Sequence, residues 1–290
     1  MRATTMAVSA TAFAACTLLS VSPVGCGSAG SARFLFDARA AGIARDGAQP
    51  MIFTSDAGWT ITLTRASVTI GPIFLNVIAP LRDEATFVPW LSIKPAFGDD
   101  DHLSGGRVVG EVLTQITFDA LSPSFASFPV QGTMTQEQIR TAEIWLWPPP
   151  GKSPEAVNID TPAIEVAGEA VKGEERVRFR GALILNEAWT TDAKPGERSA
   201  QPVTALRKVR GLPSMFFPTE GGALEIRFDV RPLFRGADFS SLAGNPSDAD
   251  GTRILVQSKT GRFTTDQVMR NVFQGMRAST GTYAVRWVVP

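Results

Sequence analysis

The sequence predicts an all-β domain: an antiparallel β-sandwich of immunoglobulin-like or jelly-roll-like type, with one short amphipathic helix near its C-terminus. Three observations carry that expectation. Residues 59–64 read Trp-Thr-Ile-Thr-Leu-Thr, the period of two that sets large apolar groups on one face of a strand and β-branched polar groups on the other. Short apolar runs recur between clusters of Gly, Pro, Ser and Asp, as strands do between turns. Only residues 266–276 hold a convincing helical period.

The chain opens with an address label. Arg2 precedes an uncharged, largely apolar segment, 6–24, which ends on Gly25 immediately before Cys26, the layout of a secretory signal over residues 1–25. Cleavage there makes Cys26 the first residue of the exported chain and the site of lipidation, with the small residues 27–32 completing a flexible tether over 26–32. Several acyl chains on such a cysteine hold firmly to a membrane where one would not. The alternatives are a cleaved signal without lipid, cleavage at Cys16, and a retained transmembrane helix. Cleavage at Cys16 leaves the apolar residues 17–24 in water, and Ser, Thr and Pro23 interrupt a membrane span. The implied location is the bacterial cell envelope, periplasm or outer membrane.

Residues 33–290 follow as one composite sandwich. Strands are expected at 33–36, 59–64, 66–70, 73–78, 108–118, 142–147, 163–166, 177–185, 224–230, 254–257 and 283–289. The apolar parity changes after Arg65, which calls for a bulge near residues 65–67 or a break between two strands, because a slip of one residue turns the wrong face inward. A turn or very short helix fits 135–140. Pro148, Pro149 and Pro150 open the best internal boundary, 148–160, since consecutive prolines force an extended path without ladder hydrogen bonds. Residues 192–202 and 244–251 read as surface loops. In the helix, Thr265 and Asp266 offer a cap, and Val268, Met269, Val272, Phe273 and Met276 form one apolar stripe for packing on the sheets.

Composition excludes several classes. The chain has 28 basic and 28 acidic residues; removal of Arg2 with the signal leaves 27 against 28, a net charge of −1, with no basic excess for nucleic acid. Both cysteines lie within the first 26 residues, so the domain is not a disulfide-stapled scaffold and relies on its core. No Gly-x-Ser-x-Gly elbow, phosphate loop or dinucleotide fingerprint appears, and no organic cofactor is implied.

Two constellations remain. The single histidine, His102, follows Asp99, Asp100 and Asp101. Three carboxylates with backbone carbonyls suit Ca²⁺, and two of them with the imidazole suit Cu²⁺ or Zn²⁺; a solvated acidic turn has the same composition. Trp145 and Trp147 share one face of Ala142-Glu-Ile-Trp-Leu-Trp147, with Ile144 and Leu146 on the other. One face is a candidate ligand platform, although a strand buried between two layers gives the same pattern.

At GWTITLTRASVTIGPIFL, HLSGGRVVGEV and RTAEIWLWPP the chain resembles a group of uncharacterised bacterial secreted lipoproteins. Several of these are richer in histidine near the position of His102, which implies a metal-related role. At 59–75, 224–234 and 266–276, about half of the exported chain, it is more distantly similar to the methanobactin-associated copper-binding lipoproteins of the MbnP type. That second resemblance carries over no copper ligand, because the imidazoles are absent. The sequence therefore leads to a non-catalytic envelope lipoprotein with a binding or interaction domain. Its partners are the membrane and an envelope protein or small ligand, and metal binding around His102 is the alternative.

Overall fold

A computed structural model describes residues 33–43, 51–78, 107–147, 161–185, 207–257 and 266–289. Their strands switch repeatedly between two sheets. The larger, nine-stranded among the described residues, runs in the order β12 (Lys208–Phe216), β9 (Ile139–Trp145), β4 (Ile73–Asn76), β5 (Val108–Val112), β8 (Gly132–Thr135), β1 (Arg33–Gly42), β13 (Ala223–Phe228) and β15 (Tyr283–Val288), with β7 (Ala126–Ser127) also paired to β1. The smaller, six-stranded, runs β14 (Arg253–Ile254), β11 (Glu175–Leu183), β10 (Ile164–Lys172), β3 (Thr60–Ile70) and β2 (Met51–Thr54), with β6 (Ile116–Asp119) also on β3. The edges of the larger path, β12 and β15, meet where Phe216 stacks on Trp287 with ring centroids 5.9 Å apart, so that sheet curls into a nearly closed barrel. The expected all-β sandwich is present. Its pairing is antiparallel except at β1·β13 and β11·β14, which are parallel; strands so distant in sequence are not joined by hairpins and are free to pair either way.

The parity change after Arg65 resolves as a bulge within one continuous strand. Ala167 of β10 pairs with Arg65 and Gly168 with Leu63, leaving Thr64 unmatched. Thr64 and Arg65 both face water, and Ile61, Leu63, Ala66 and Val68 all stay buried. Gly168 is required opposite the bulge, because a Cβ there would sit 2.3 Å from the Thr62 carbonyl oxygen. At the end of β3 the chain crosses to the larger sheet through Gly71, whose φ of +118° and whose approach to the Thr114 carbonyl, 2.3 Å from an added Cβ, admit only glycine.

The expected single strand over 108–118 is instead two, β5 in the larger sheet and β6 in the smaller. Both halves have strand character, but residues 113–115 carry the chain from one layer to the other. Residues 135–140 contain a turn followed directly by β9, which starts at Ile139. The strand β12 was not expected: Lys208, Arg210 and Pro213 break its alternation, and two register irregularities against β9 absorb them. Inside the sandwich Phe118 of β6 meets Phe228 of β13 edge-on at 6.3 Å, and Phe228 meets Tyr283 at 5.2 Å.

Helix α1 (Gln267–Met276) forms where its stripe places it, burying Val268, Met269, Val272 and Met276. Asp266 caps it, one carboxylate oxygen accepting from Val268 N at 2.8 Å and Met269 N at 3.1 Å. The other accepts from Asn245 Nδ2 at 2.7 Å and Val256 N at 3.0 Å. The cap thus ties the helix start to the chain on both sides of β14. The expected signal peptide (1–25), the expected tether (26–32) and residues 148–160 lie outside the described residues.

Across β1, β13 and β15 the register brings Arg39, Glu225 and Arg286 side by side. Glu225 is buried, and its oxygens accept from Arg39 Nε at 3.0 Å and Arg286 Nε at 2.6 Å. Burial alone would raise its carboxyl above the ordinary value of 4.5, but the hydrogen bonds from Arg286 and Arg39 outweigh it and hold the carboxyl low. A depressed native pKa adds stability that is complete above the unfolded value and is lost as pH falls through the native one. E225Q is therefore expected to cost about 1–2 kcal/mol at pH 7, a figure reduced for the half-exposed arginines. Urea titrations should show the gap between wild type and variant closing below the ordinary glutamate range. A gap independent of pH would show that the charge is not its source.

Candidate functional site

Strand β9 shows which of its faces carries chemistry. Ala142 and Ile144 point into the sandwich, whereas Thr141, Glu143 and Trp145 lie on the opposite face by alternation. Register adds neighbours to that outward face. Asn76 of β4 stands opposite Thr141, and Lys208 of β12 stands opposite Trp145. All five residues are buried, none exceeding 2% exposure, so this is an outward face that does not meet water.

Its centre is an ion pair backed by an aromatic ring. Lys208 Nζ donates to Glu143 Oε1 at 3.0 Å and lies 4.4 Å from the centroid of the Trp145 ring. The ammonium thus has a carboxylate at its head and a π-face at its flank, two interactions that strengthen when water is excluded. The pattern repeats one step along the chain, where the Arg207 guanidinium lies 4.5 Å from the Trp147 ring. Backbone bonds lock the two segments together, the amides of Leu146 and Trp147 both donating to the Arg207 carbonyl, at 2.8 and 3.3 Å.

Trp145 and Trp147 therefore do not form an open platform. Trp145 is fully buried, Trp147 keeps 7% exposure, and a cation lies on each ring. What the face does offer is unsatisfied polarity. Asn76 Nδ2 and Oδ1, Thr141 Oγ1, Glu143 Oε2 and Trp145 Nε1 are buried without a hydrogen-bond partner among the described residues. Leaving such a group unpaired costs about 1–3 kcal/mol. Five of them beside one ion pair form a strip that can both donate to and accept from a polar occupant.

Sequence reasoning found the tryptophans and missed Asn76, Thr141, Glu143 and Lys208. One signal was available: Glu143 is the only charged residue in the apolar run 142–147, and a carboxylate inside a doubly apolar strand requires a partner.

The remaining sequence candidates fall elsewhere. Cys26, Asp99, Asp100, Asp101 and His102 lie outside the described residues. The segment carrying the last four, 79–106, joins β4 to β5, and its stem is closed by Val77 N donating to the Arg107 carbonyl at 3.4 Å. Asn76 is the last residue of β4, so that stem stands at one end of the polar strip. Among the described residues no three His, Cys, Asp or Glu side chains converge as a metal site, and no helix is long and apolar enough to cross a membrane.

A concavity of about 390 Å³ opens on the outward face of the smaller sheet, lined by Thr62, Thr64, Ala167, Gly168, Glu169 and Arg178. Its charges are matched in pairs. Arg176 reaches Glu169 at 3.0 Å, Arg178 reaches Asp250 at 3.2 Å, and Arg180 grips Asp248 with bonds of 2.6 and 2.9 Å. The hydrogen bond from Arg180 holds the Asp248 carboxyl below its ordinary value. These groups are solvent-exposed and screened.

No family model matches this chain, so the resemblance to secreted lipoproteins has no counterpart there, and no curated protein matches it. Among solved structures, a chain described as "MbnP from Methylosinus trichosporium" is similar over 89% of this chain and 99% of its own, with 9% identity and a TM-score of 0.34. The similarity is as remote in shape as in sequence, and no residue role is taken from it.

Proposed function

We propose that this protein is a non-catalytic, lipid-anchored binding module of the bacterial cell envelope, exported and held through Cys26, with a small polar ligand as its partner. The observation that supports the binding role is the polar strip, where four buried side chains hold five atoms without a partner among the described residues. Native interiors rarely tolerate this for stability alone. Because Lys208 neutralises Glu143 within the strip, a neutral occupant with both donors and acceptors, such as a polyol or amide, suits it. Such a molecule donates to Glu143 Oε2 and Asn76 Oδ1 and accepts from Trp145 Nε1 and Asn76 Nδ2. Calorimetric titration of wild type and N76L with a panel of polyols, sugars and amino-acid amides tests the reading. Binding by one class that N76L abolishes supports it, and absence of heat throughout the panel removes it. The anchor is tested separately by mass spectrometry of protein made in a bacterial host, which should show an acylated fragment beginning at Cys26.

A second reading, metal binding through Asp99, Asp100, Asp101 and His102, is favoured by the position of their stem beside the free Asn76 oxygen. Titration with Ca²⁺, Cu²⁺ and Zn²⁺ decides it. Heat that disappears in the D99N/D101N/H102A chain supports the site, and no heat from any of the three excludes it.

A further inference from the structure

We infer that one rim of the larger sheet, the end at which β1 begins, rests on the phospholipid surface that carries the Cys26 anchor; the inference builds on the anchored reading above. Register defines the rim. Arg33 pairs with Thr135, Asp37 with Ala223, Ala223 with Val288, and Phe216 with Ile139. The starts of β1, β9 and β13 and the ends of β8, β12 and β15 therefore lie together.

Exposed apolar side chains concentrate there. Among the described residues eight large hydrophobic side chains are exposed, and four of them, Leu35 (59%), Met215 (76%), Phe217 (56%) and Val289 (59%), stand on this rim. They have a rigid base, because Phe216 stacks on Trp287 at an interplanar angle of 17° and Phe34 packs edge-on to the same indole at 6.3 Å. The charged groups around them suit a headgroup layer. Arg107 is paired with Glu137, and the exposed Arg33 and Arg140 are balanced by the exposed Asp37 and Glu220, which leaves the rim neutral overall. Arginines set beside apolar groups can bury their stems while their guanidinium ends meet lipid phosphates.

The tether makes a bilayer the occupant. Residues 26–32 are seven, a length that spans at most about 25 Å fully extended, and they lead directly into Arg33 on this rim. An acylated Cys26 thus holds this end of the domain closer to the membrane than any other. Apolar groups left in water at that point would be a liability, whereas in the interface they become contacts.

The test uses the acylated full chain in vesicles of phosphatidylethanolamine and phosphatidylglycerol containing a lipid with a doxyl group high on its acyl chain. In that protein F217C supplies the free thiol for an environment-sensitive fluorophore, and L113C, at the opposite end of β5, supplies the control. The label at 217 should be quenched about twofold or more and the label at 113 hardly at all, since an interfacial group lies within the upper acyl region. Equal quenching at both positions, or none at 217, overturns the rim contact even when mass spectrometry shows Cys26 acylated. If Cys26 proves unmodified, the anchored reading fails on its own, and the C26S/F217C chain mixed with the same vesicles judges the rim. Quenching then supports the contact without an anchor, and its absence overturns it.

Discussion

Replacing Lys208 by alanine is expected to destabilise the protein by about 3–5 kcal/mol, the usual cost of leaving a buried charge without its partner. Glu143 Oε1 bonds to Lys208 at 3.0 Å, Oε2 has no partner among the described residues, and both side chains are at most 1% exposed. Once the ammonium is gone, the carboxylate stays buried without the ion-pair partner that Lys208 supplied. E143A should cost a similar amount, because the buried ammonium, whose Nζ lies 4.4 Å from the Trp145 ring centroid, would lose its carboxylate. The double variant E143L/K208M separates charge from packing: removing both ions together often proves neutral or stabilising, so it should recover most of the loss. Urea denaturation of the four proteins measures this. Single variants that each cost less than about 1 kcal/mol would mean that water reaches the pair, as it does in surface ion pairs. The same experiment bears on the polar strip, for a fully repaired double variant that no longer binds ligand would show an ion pair kept at the expense of stability.

The elements most legible in the sequence were those whose signal is local. The parity change at Arg65 required a bulge or a break, and the bulge at Thr64 lies beside it. The stripe from Val268 to Met276 marked the helix, and Asp266 its cap. What escaped depended on partners far along the chain. β12 has poor intrinsic alternation, and it forms by pairing with β9, where it also brings Lys208 to Glu143, 65 residues apart. The run 108–118 is continuous as a pattern, and only packing of its two halves into different layers divides it. For the candidate site, the tryptophan pair was visible and the cations covering it were not, since facing positions of paired strands follow from register rather than from spacing. Glu143 alone announced that something charged had to meet it.

Trp59→Ala is the other substitution with a large expected effect, about 3–5 kcal/mol, the range for truncating a buried tryptophan. Trp59 is fully buried just before β3, and its ring begins a chain of aromatic contacts at one end of the sandwich. Phe239 lies 5.7 Å from it, Phe179 lies 4.8 Å from Phe239, and Phe234 lies 5.9 Å from Phe179. Loss of the indole would leave a void bordered by rings that cannot collapse without breaking their contacts with one another. The ring also has a polar handle. Trp59 Nε1 donates to Asp238 Oδ1 at 2.9 Å, and Asp238 Oδ1 also accepts from Ser240 N at 3.2 Å at the start of the 3₁₀ turn Phe239–Gly244. That indole bond is the foremost reason the Asp238 carboxyl is held below its ordinary value of 3.8. Its stabilising contribution is present above that value and disappears as pH falls through the lowered one. W59F keeps most of the packing and removes the donor, so it should cost about 1–2 kcal/mol and let Asp238 titrate closer to its ordinary value, which NMR of the carboxyl carbon would follow. If W59A and W59F proved equally destabilising, the hydrogen bond rather than the aromatic chain would be what holds this end of the sandwich shut.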